Sequence, residues 1–562
     1  MSKLDPSEFS ELVKMLLNLS RYDLKRLLAI GREEFGRKTN TINSIFKDGK
    51  CRFRDVKCSA IKELTKLGSL NPSNMNLKDG RYLIVGDSHG KHTTRGMFRL
   101  LNNLNNHLNF KNIIHIGHIL DDDNDISYLW KDFDNLIVVS KDEEAKEIEA
   151  KRESYGYKVI TGNILIGDYK ICNQEMIGDY VRTGLGNLDP YIFNSNSIVN
   201  SHRHELEQKG CYQKVISFAS PGCLCEKHIV TTIKQIDFMD GRQVKESYPC
   251  SYKKYRTRKT MTEYWEQGAI ILELIDNTVS IHPIRIRKIG DEYITSYYDK
   301  IYINDRIEKP ENRIFFNSDI HADRHDVNVI DLQDQFVKKY NPNVYVNLGD
   351  MVNNKSLNHH EIDRGYFIQK QFLDEFKSYC LLLDIMSKWS KDNHIIFGNH
   401  ERFMNDFSNK YPQLLSLFEF LYSNPLDFYK YVKHGLKEVF EIGNVKFLHG
   451  DLKLFGQSGS FIEKVAKTFG SDTVIGHLHV NCIRHGCYIV GLSGVYDQEY
   501  NDVQGSRWTQ GFGFCNQYKG LNFIQLVNIN KDYSFAINGR KFIARENKPL
   551  FDKKININLF IG

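Results

Sequence analysis

The stretch that decides the fold is Arg313-Ile-Phe-Phe-Asn-Ser-Asp319-Ile-His321, followed by Tyr345-Val-Asn-Leu-Gly-Asp350. Each is a short apolar run that ends in a metal-capable acid or imidazole. Continuous apolar runs of this length read as strands buried on both faces, as in a parallel sheet. Polar residues placed just past such runs lie where open α/β sheets carry their sites. An earlier pair repeats the pattern: Tyr82-Leu-Ile-Val-Gly-Asp87-Ser-His89-Gly90, then Ile113-Ile-His-Ile-Gly-His118. The spacing is 31 residues from Asp87 to His118 and again 31 from Asp319 to Asp350. Further on, Ile166-Gly-Asp-Tyr-Lys170 matches His449-Gly-Asp-Leu-Lys453, and Ser201-His-Arg-His204 matches Gly476-His-Leu-His479. Four landmarks in one order predict a tandem duplication. Both copies alternate short Val/Ile/Phe-rich strands with helical stretches, so the expected class is α/β.

The predicted organisation is a helical unit over 1–78, a first α/β half over 79–290, a polar linker over 291–312 containing Pro310, and a second half over 313–562. The chain of 562 residues is 41% hydrophobic and 26% charged, which excludes disordered, collagen-like and coiled-coil classes. Its 11 cysteines lack framework spacing and suit a reducing cytosol; Cys223 and Cys225 read as structural. No run of about 18 apolar residues is present to span a bilayer, and the N-terminus lacks a signal-peptide core. The expectation is therefore a cytoplasmic protein with no membrane partner.

Net charge is +6, and residues 1–80 alone hold 16 Lys/Arg against 10 Asp/Glu. Within them Phe9, Leu12, Met15 and Leu16, then Leu24, Leu27, Leu28 and Ile30, recur at helical spacing. An amphipathic run, Thr39 to Phe46, follows, flanked by Lys38, Lys47, Lys50, Arg52 and Arg54. This small basic unit resembles a helix-turn-helix DNA-binding domain; the competing reading is a helical cap or oligomerisation module. A second basic segment, Gly241 to Met261, carries Lys253, Lys254, Arg256, Arg258 and Lys259 interleaved with Tyr248, Tyr252 and Tyr255. Charges with aromatic residues between them suit contact with a nucleic-acid backbone and stacking on bases.

The second half presents Asp319-x-His321, Gly349-Asp350, Gly398-Asn399-His400-Glu401, His449-Gly450 and Gly476-His477-x-His479. A two-metal hydrolase needs a carboxylate shared by both ions, mixed nitrogen and oxygen ligands, and open positions for water and phosphate. These five ordered blocks resemble the calcineurin-like metallophosphoesterase superfamily. The resemblance implies an α/β/β/α sandwich in each half, the first degenerate and the second intact. It implies Asp319, His321 and His479 on one metal, Asp350 bridging, and Asn399, His449 and His477 on the other. It also implies that His400, off the metals, protonates the leaving oxygen during in-line attack of an activated water on phosphorus. Asn353 stands where the family often has Asp and is not counted as a ligand.

In the first half His118 replaces the bridging acid, Ser140-Lys141-Asp142-Glu143 replaces Gly-Asn-His-Glu, and Ile166 replaces the isolated His. A lysine at the second metal position and an isoleucine that cannot ligate predict a catalytically dead copy. A residual mononuclear site from Asp87, His89, His118 and His204 stays open. The Asp350 block lacks the Asp-Arg-Gly extension of serine/threonine protein phosphatases, and the His blocks resemble the Mre-eleven/SbcD nuclease branch. Taken whole, the chain resembles the early host-DNA-degrading nucleases of virulent tailed bacteriophages. That resemblance implies a DNase in the bacterial host cytoplasm, with DNA as partner and two divalent ions, Mn2+ first and Fe or Zn admissible. A homo-oligomer built through the degenerate half is a further expectation. The alternative is a metal-dependent phosphomonoesterase acting on phosphoproteins or nucleotides, and a non-enzymatic DNA-binding scaffold is the third reading.

Overall fold

The computed structural model describes residues 75–88, 93–117, 119, 130, 132–140, 158–161, 163–166, 169–175, 191–194, 197–206, 213–226, 265–354, 357, 369–452, 461–470, 472–498, 508–552 and 555. All belong to one compact unit that takes in Met75–Glu175 and Asp189–Gly562. The helix-turn-helix expectation, with Lys38, Lys47, Lys50, Arg52 and Arg54, lies outside the described residues. So do Lys253, Lys254, Arg256, Arg258, Lys259, His89, His118 and Lys141.

The first half runs β1 (Met75–Asn76), β2 (Gly80–Val85), α1 (Arg95–Leu108), β3 (Asn112–Ile116), β4 (Leu136–Ser140), β5 (Lys158–Thr161), β6 (Asn163–Ile166), β7 (Tyr169–Glu175), β8 (Tyr191–Asn194), β9 (Ile198–Leu206), β10 (Gln213–Pro221), β11 (Gly268–Ile275) and β12 (Thr278–Arg285). Then come β13 (Arg287–Ile289), β14 (Glu292–Tyr297), β15 (Lys300–Ile303) and β16 (Arg306–Glu308). The second half runs β17 (Asn312–Asn317), α2 (Val327–Tyr340), β18 (Val344–Asn347), α3 (Gln369–Met386), β19 (Asp392–Ile396), α4 (Asn399–Lys410), α5 (Leu415–Phe428), β20 (Tyr431–His434), β21 (Phe440–Ile442), β22 (Val445–Leu448), α6 (Phe461–Phe469), β23 (Thr473–Ile475), β24 (Cys482–Arg484), β25 (Cys487–Ile489), β26 (Gly511–Tyr518) and β27 (Leu521–Asn528). A hairpin of β28 (Ser534–Ile537) and β29 (Arg540–Ile543) ends the series.

Two six-stranded sheets share one plan. Their orders are β12-β11-β2-β3-β4-β5 and β27-β26-β17-β18-β19-β20. In each, an antiparallel pair meets four parallel strands. Helices α1 and α2 each have 14 residues, start at a side-chain cap (Thr94 or Asp326) and stop at a left-handed asparagine (Asn109 or Asn341). The halves meet in an eleven-stranded sheet, where β6-β7-β8-β10-β9 faces β21-β22-β23-β25-β24 in mirrored order. The two sets join through β9 and β24, antiparallel, with Asn200 opposite Ile483 at the centre of the pairing. Arg285 and Arg287 also reach across to Asp472, each at 2.8 Å.

The layers follow from where the apolar residues lie. In the second half Ile314, Phe316, Val346 and Ile396 pack against Phe447, Val474 and Tyr488, sheet on sheet. Helices α2 and α3 cover the outer face of the six-stranded sheet through Phe336, Tyr340, Leu383 and Met386. Helix α6 covers the other sheet through Val465. An α/β/β/α stack results.

Register corrects two of the landmarks. Ile166 pairs with Tyr169 across the β6–β7 hairpin just as Ile442 pairs with Val445 across β21–β22. Ile166-Gly-Asp-Tyr-Lys170 therefore corresponds to Ile442-Gly-Asn-Val-Lys446, and the position of His449 falls on Asn173 rather than Ile166. Ser201-His-Arg-His204 lies inside β9, with Ser201 opposite Cys482, whereas Gly476–His479 follows β23. Asp87 sits at the other end of β9 and β10, its carbonyl accepting from Leu224 N at 2.9 Å. His204 is six residues from that end, Ile198, about 20 Å at about 3.3 Å per residue. A mononuclear site joining Asp87 to His204 is thereby excluded by the length of a strand.

The segment 291–312, read as linker, carries folded structure. Strands β13 to β16 form an antiparallel sheet that buries Tyr293, Ile294, Tyr297, Ile301, Tyr302 and Ile303. Asn103 on α1 donates to Arg306 O at 2.9 Å, which ties this sheet to the first half. Cys223 and Cys225 are buried and form no disulfide.

Candidate metal centre

The sequence blocks meet at the C-terminal ends of the parallel strands of both sheets. Asp319 and His321 follow β17, Asp350 follows β18, and Asn399 and His400 open α4 after β19. From the other sheet, His449 follows β22, and His477 and His479 follow β23. Ligand-capable atoms of Asp319, His321, Asp350 and His479 lie within 4.8 Å of one another, and so do those of Asp350, His449 and His477. Asp350 thus belongs to both groups. Asn399 Oδ1 lies 3.0 Å from His449 Nε2, and His400 Nε2 lies 4.0 Å from Asp350 Oδ2. All eight second-half residues singled out from sequence come together.

Backbone conformation at these positions is unusual. Asp319, His321, Asp350, His477 and His479 all have positive φ, between 50° and 64°. For residues with a Cβ this costs about 1–2 kcal/mol each. Gly349 at φ 108° makes the turn into Asp350. Gly398 is needed for close approach, because a Cβ there would lie 2.3 Å from Asp350 Oδ1.

The electrostatics call for a cation. His449 donates from Nδ1 to the Leu348 carbonyl at 2.9 Å, which leaves Nε2 a bare lone pair in the neutral ring. That nitrogen faces Asp350 Oδ2 at 3.2 Å and Asn399 Oδ1 at 3.0 Å. In the neutral ring three electron-rich atoms would converge at one point. Burial disfavours a charged His449, yet Asp350 and Asp319 outweigh it and push its pKa up to about 10. A proton there stands in for a metal. Burial would raise Asp350, but His449 and His400 hold its carboxyl well below the usual range. His321 is held neutral by burial and by His400. It is fully buried, and neither ring nitrogen has a hydrogen-bond partner among the described residues. Such an orphaned donor set costs about 1–3 kcal/mol per group unless a ligand takes it. The residues therefore fit divalent metal ions.

Three further residues, given no role from the sequence, contribute to the site. Glu401 accepts backbone N–H groups from Gly398 (2.7 Å), Asp350 (3.1 Å), Met351 (2.8 Å) and Val352 (3.2 Å), which pins the Asp350 turn to the start of α4. Its place three residues after Gly398 is a helix-start signature that could have marked it. Asn353 serves through its carbonyl, which accepts from His400 Nδ1 at 2.7 Å. Trp508 sets its ring edge-to-face on His479, centroids 4.3 Å apart. In the first half, Asp87 is buried and Gly117 repeats the turn of Gly349 with φ 119°. The side chain of His204 lies outside the described residues.

Residues 312–504 match the family model of the calcineurin-like phosphoesterases. That stretch holds every residue of the cluster, and it carries the signature of a metal-dependent phosphoester hydrolase. Among solved structures the chain is similar to Vps29 of Chaetomium thermophilum, at 11% identity over 41% of this chain and 97% of that one, with a TM-score of 0.22. A search of the curated proteins finds no match. No helix among the described residues is long and apolar enough to cross a membrane.

Proposed function

We propose that this chain is a metal-dependent nuclease that hydrolyses DNA phosphodiester bonds, its two halves being tandem calcineurin-like domains of which the second is active. The observation that carries the reading is the buried cluster in which Asp350 belongs to two adjoining ligand groups with His400 beside them. Asp319, His321 and His479 would hold one ion and Asn399, His449 and His477 the other, with Asp350 shared. Two divalent cations, Mn2+ first among Mn, Fe and Zn, would supply positive charge to the phosphoryl oxygens and lower the pKa of water. A water oxygen bonds to phosphorus in line as the bond to the leaving oxygen breaks. His400 delivers to that oxygen the proton it carries at Nε2, while the water's own proton passes to solvent. Its Nδ1–H stays on the Asn353 carbonyl, which keeps Nε2 aimed at the site.

DNA as substrate is supported by the basic segments over 1–80 and 241–261 and by the missing Asp-Arg-Gly extension after Asp350. The shared strand order of the two six-stranded sheets supports the tandem reading. Asn173 at the His449 position supports a first half without a two-metal site. A role in degrading host DNA in a phage-infected bacterial cytoplasm, and a homo-oligomer, complete the proposal. The test is incubation of the purified full chain with closed circular and linear DNA in Mn2+, Mg2+ or EDTA. Metal-dependent loss of DNA is expected. DNA intact under every metal would overturn the reading, and much faster hydrolysis of an aryl monoester than of any diester would favour a phosphomonoesterase.

A further inference from the structure

Beneath His400 lies a buried acid that the hydrolytic scheme above does not use. Glu375, on α3, is 3% exposed. Its Oε1 accepts from Asn353 N at 2.7 Å and from Asn354 N at 2.6 Å. The Asn354 N–H and the Asn353 C=O belong to one amide, and that C=O accepts from His400 Nδ1 at 2.7 Å. A continuous path therefore runs from the carboxyl oxygen to the N–H, through the peptide plane to the C=O, and on to the imidazole. Asn354 is held in the same turn at φ 50°. Its side chain donates to His400 O at 2.9 Å and accepts from Tyr422 OH.

Hydrogen bonds in series polarise one another. An acceptor on the amide N–H makes the C=O a stronger acceptor, and a carbonyl cannot donate. The ring is thereby fixed with hydrogen on Nδ1 and with Nε2 toward the reacting atoms. Partners that orient an imidazole in this way usually make direct contact; here a peptide group lies between. We infer that Glu375 is a positioning residue for His400, acting through the Asn353–Asn354 amide. The inference rests on the hydrolase reading. Burial, with Asp323 nearby, pushes the Glu375 carboxyl up to about 8, and Oε1 can accept in either charge state. Gln at this position preserves that acceptor.

The competing role for Glu375 is to satisfy two N–H groups in a turn. The roles separate on leaving groups, because a dinucleotide needs a proton on its departing oxygen and a bis(p-nitrophenyl) phosphate does not. The experiment compares kcat on both substrates for wild type, Glu375→Ala, Glu375→Asp and Glu375→Gln. The dinucleotide-to-aryl ratio should fall about tenfold or more in Ala, less in Asp, and return near wild type in Gln. Equal losses on both substrates in Ala and Asp would overturn the inference. If Ala fails to fold, Asp carries the comparison. A readout independent of turnover is 15N-histidine NMR of the Mg2+-loaded protein, with His400→Ala identifying the resonance. Hydrogen on Nδ1 in the wild type is expected, and hydrogen on Nε2 alone would overturn the geometry. Hydrolysis of neither substrate by the wild type would overturn the hydrolase reading instead, with the tautomer still decided by NMR.

Discussion

Asp350→Asn is expected to lower turnover of a phosphodiester by about 10³-fold or more while the chain stays folded. Asp350 is the one side chain in both ligand groups, and loss of a single preorganised charge-stabilising group commonly costs 10²- to 10³-fold. An amide in its place keeps the volume and one oxygen, so the packing around Gly398 survives. The charge that draws His449 and His400 is lost, and the shared oxygen pair with it. His449, whose proton affinity is raised by that carboxylate, should titrate at a markedly lower pH in the metal-free variant. Turnover of bis(p-nitrophenyl) phosphate, with melting temperature measured alongside, checks this. Activity within tenfold of wild type at unchanged stability would contradict a shared role for Asp350.

The second large effect is on stability. Glu401→Ala removes the acceptor of four backbone N–H groups at once, those of Gly398, Asp350, Met351 and Val352. Glu401 is 6% exposed, so water reaches the vacated space poorly. Each N–H left without an acceptor costs about 1–3 kcal/mol, and a total loss of at least about 3 kcal/mol is expected even if some find water. Burial and the Asp350 charge raise the Glu401 pKa, which is the cost the four N–H donors offset. Denaturant unfolding should show a lower midpoint at unchanged slope, with turnover falling as the Asp350 turn loosens. A midpoint equal to wild type would mean that the turn is held by other contacts.

Much of this was legible in residue order, and the exceptions have physical reasons. The strands ending at Asp319 and Asp350 declare themselves because a parallel strand covered on both faces must be apolar along its whole length. Ligands cluster past such strands, so the five ordered blocks stood out in the sequence, and the family resemblance they carry supplied the eight site residues. The matches of Ile166 to His449 and of Ser201–His204 to Gly476–His479 failed for a different reason. Gly-Asp and His-x-His are short patterns that recur without meaning, and only pairing register shows which hairpin each belongs to. The sheet of β13–β16 was missed because its strands are short and charged residues stand between them, although Tyr293, Ile294, Tyr297, Ile301, Tyr302 and Ile303 are ordinary strand formers. Its turns, Gly290-Asp291 and Asn304-Asp305, are ordinary hairpin chemistry, with Asn304 at positive φ. Glu375 had no local signal, because it meets the Asn353–Asn354 turn from α3, a separate element further along the chain. Contacts of that kind exist only once the chain is folded.

On the proposed function, the second half of this chain builds a two-ion site and the first does not. The most direct test is the metal content of the full-length protein after loading with Mn2+ and exhaustive removal of free metal. Two ions per chain are expected, falling to one or none in Asp350→Asn. One ion or none in the wild type would contradict the two-ion site, and a count of three or four would contradict a metal-free first half.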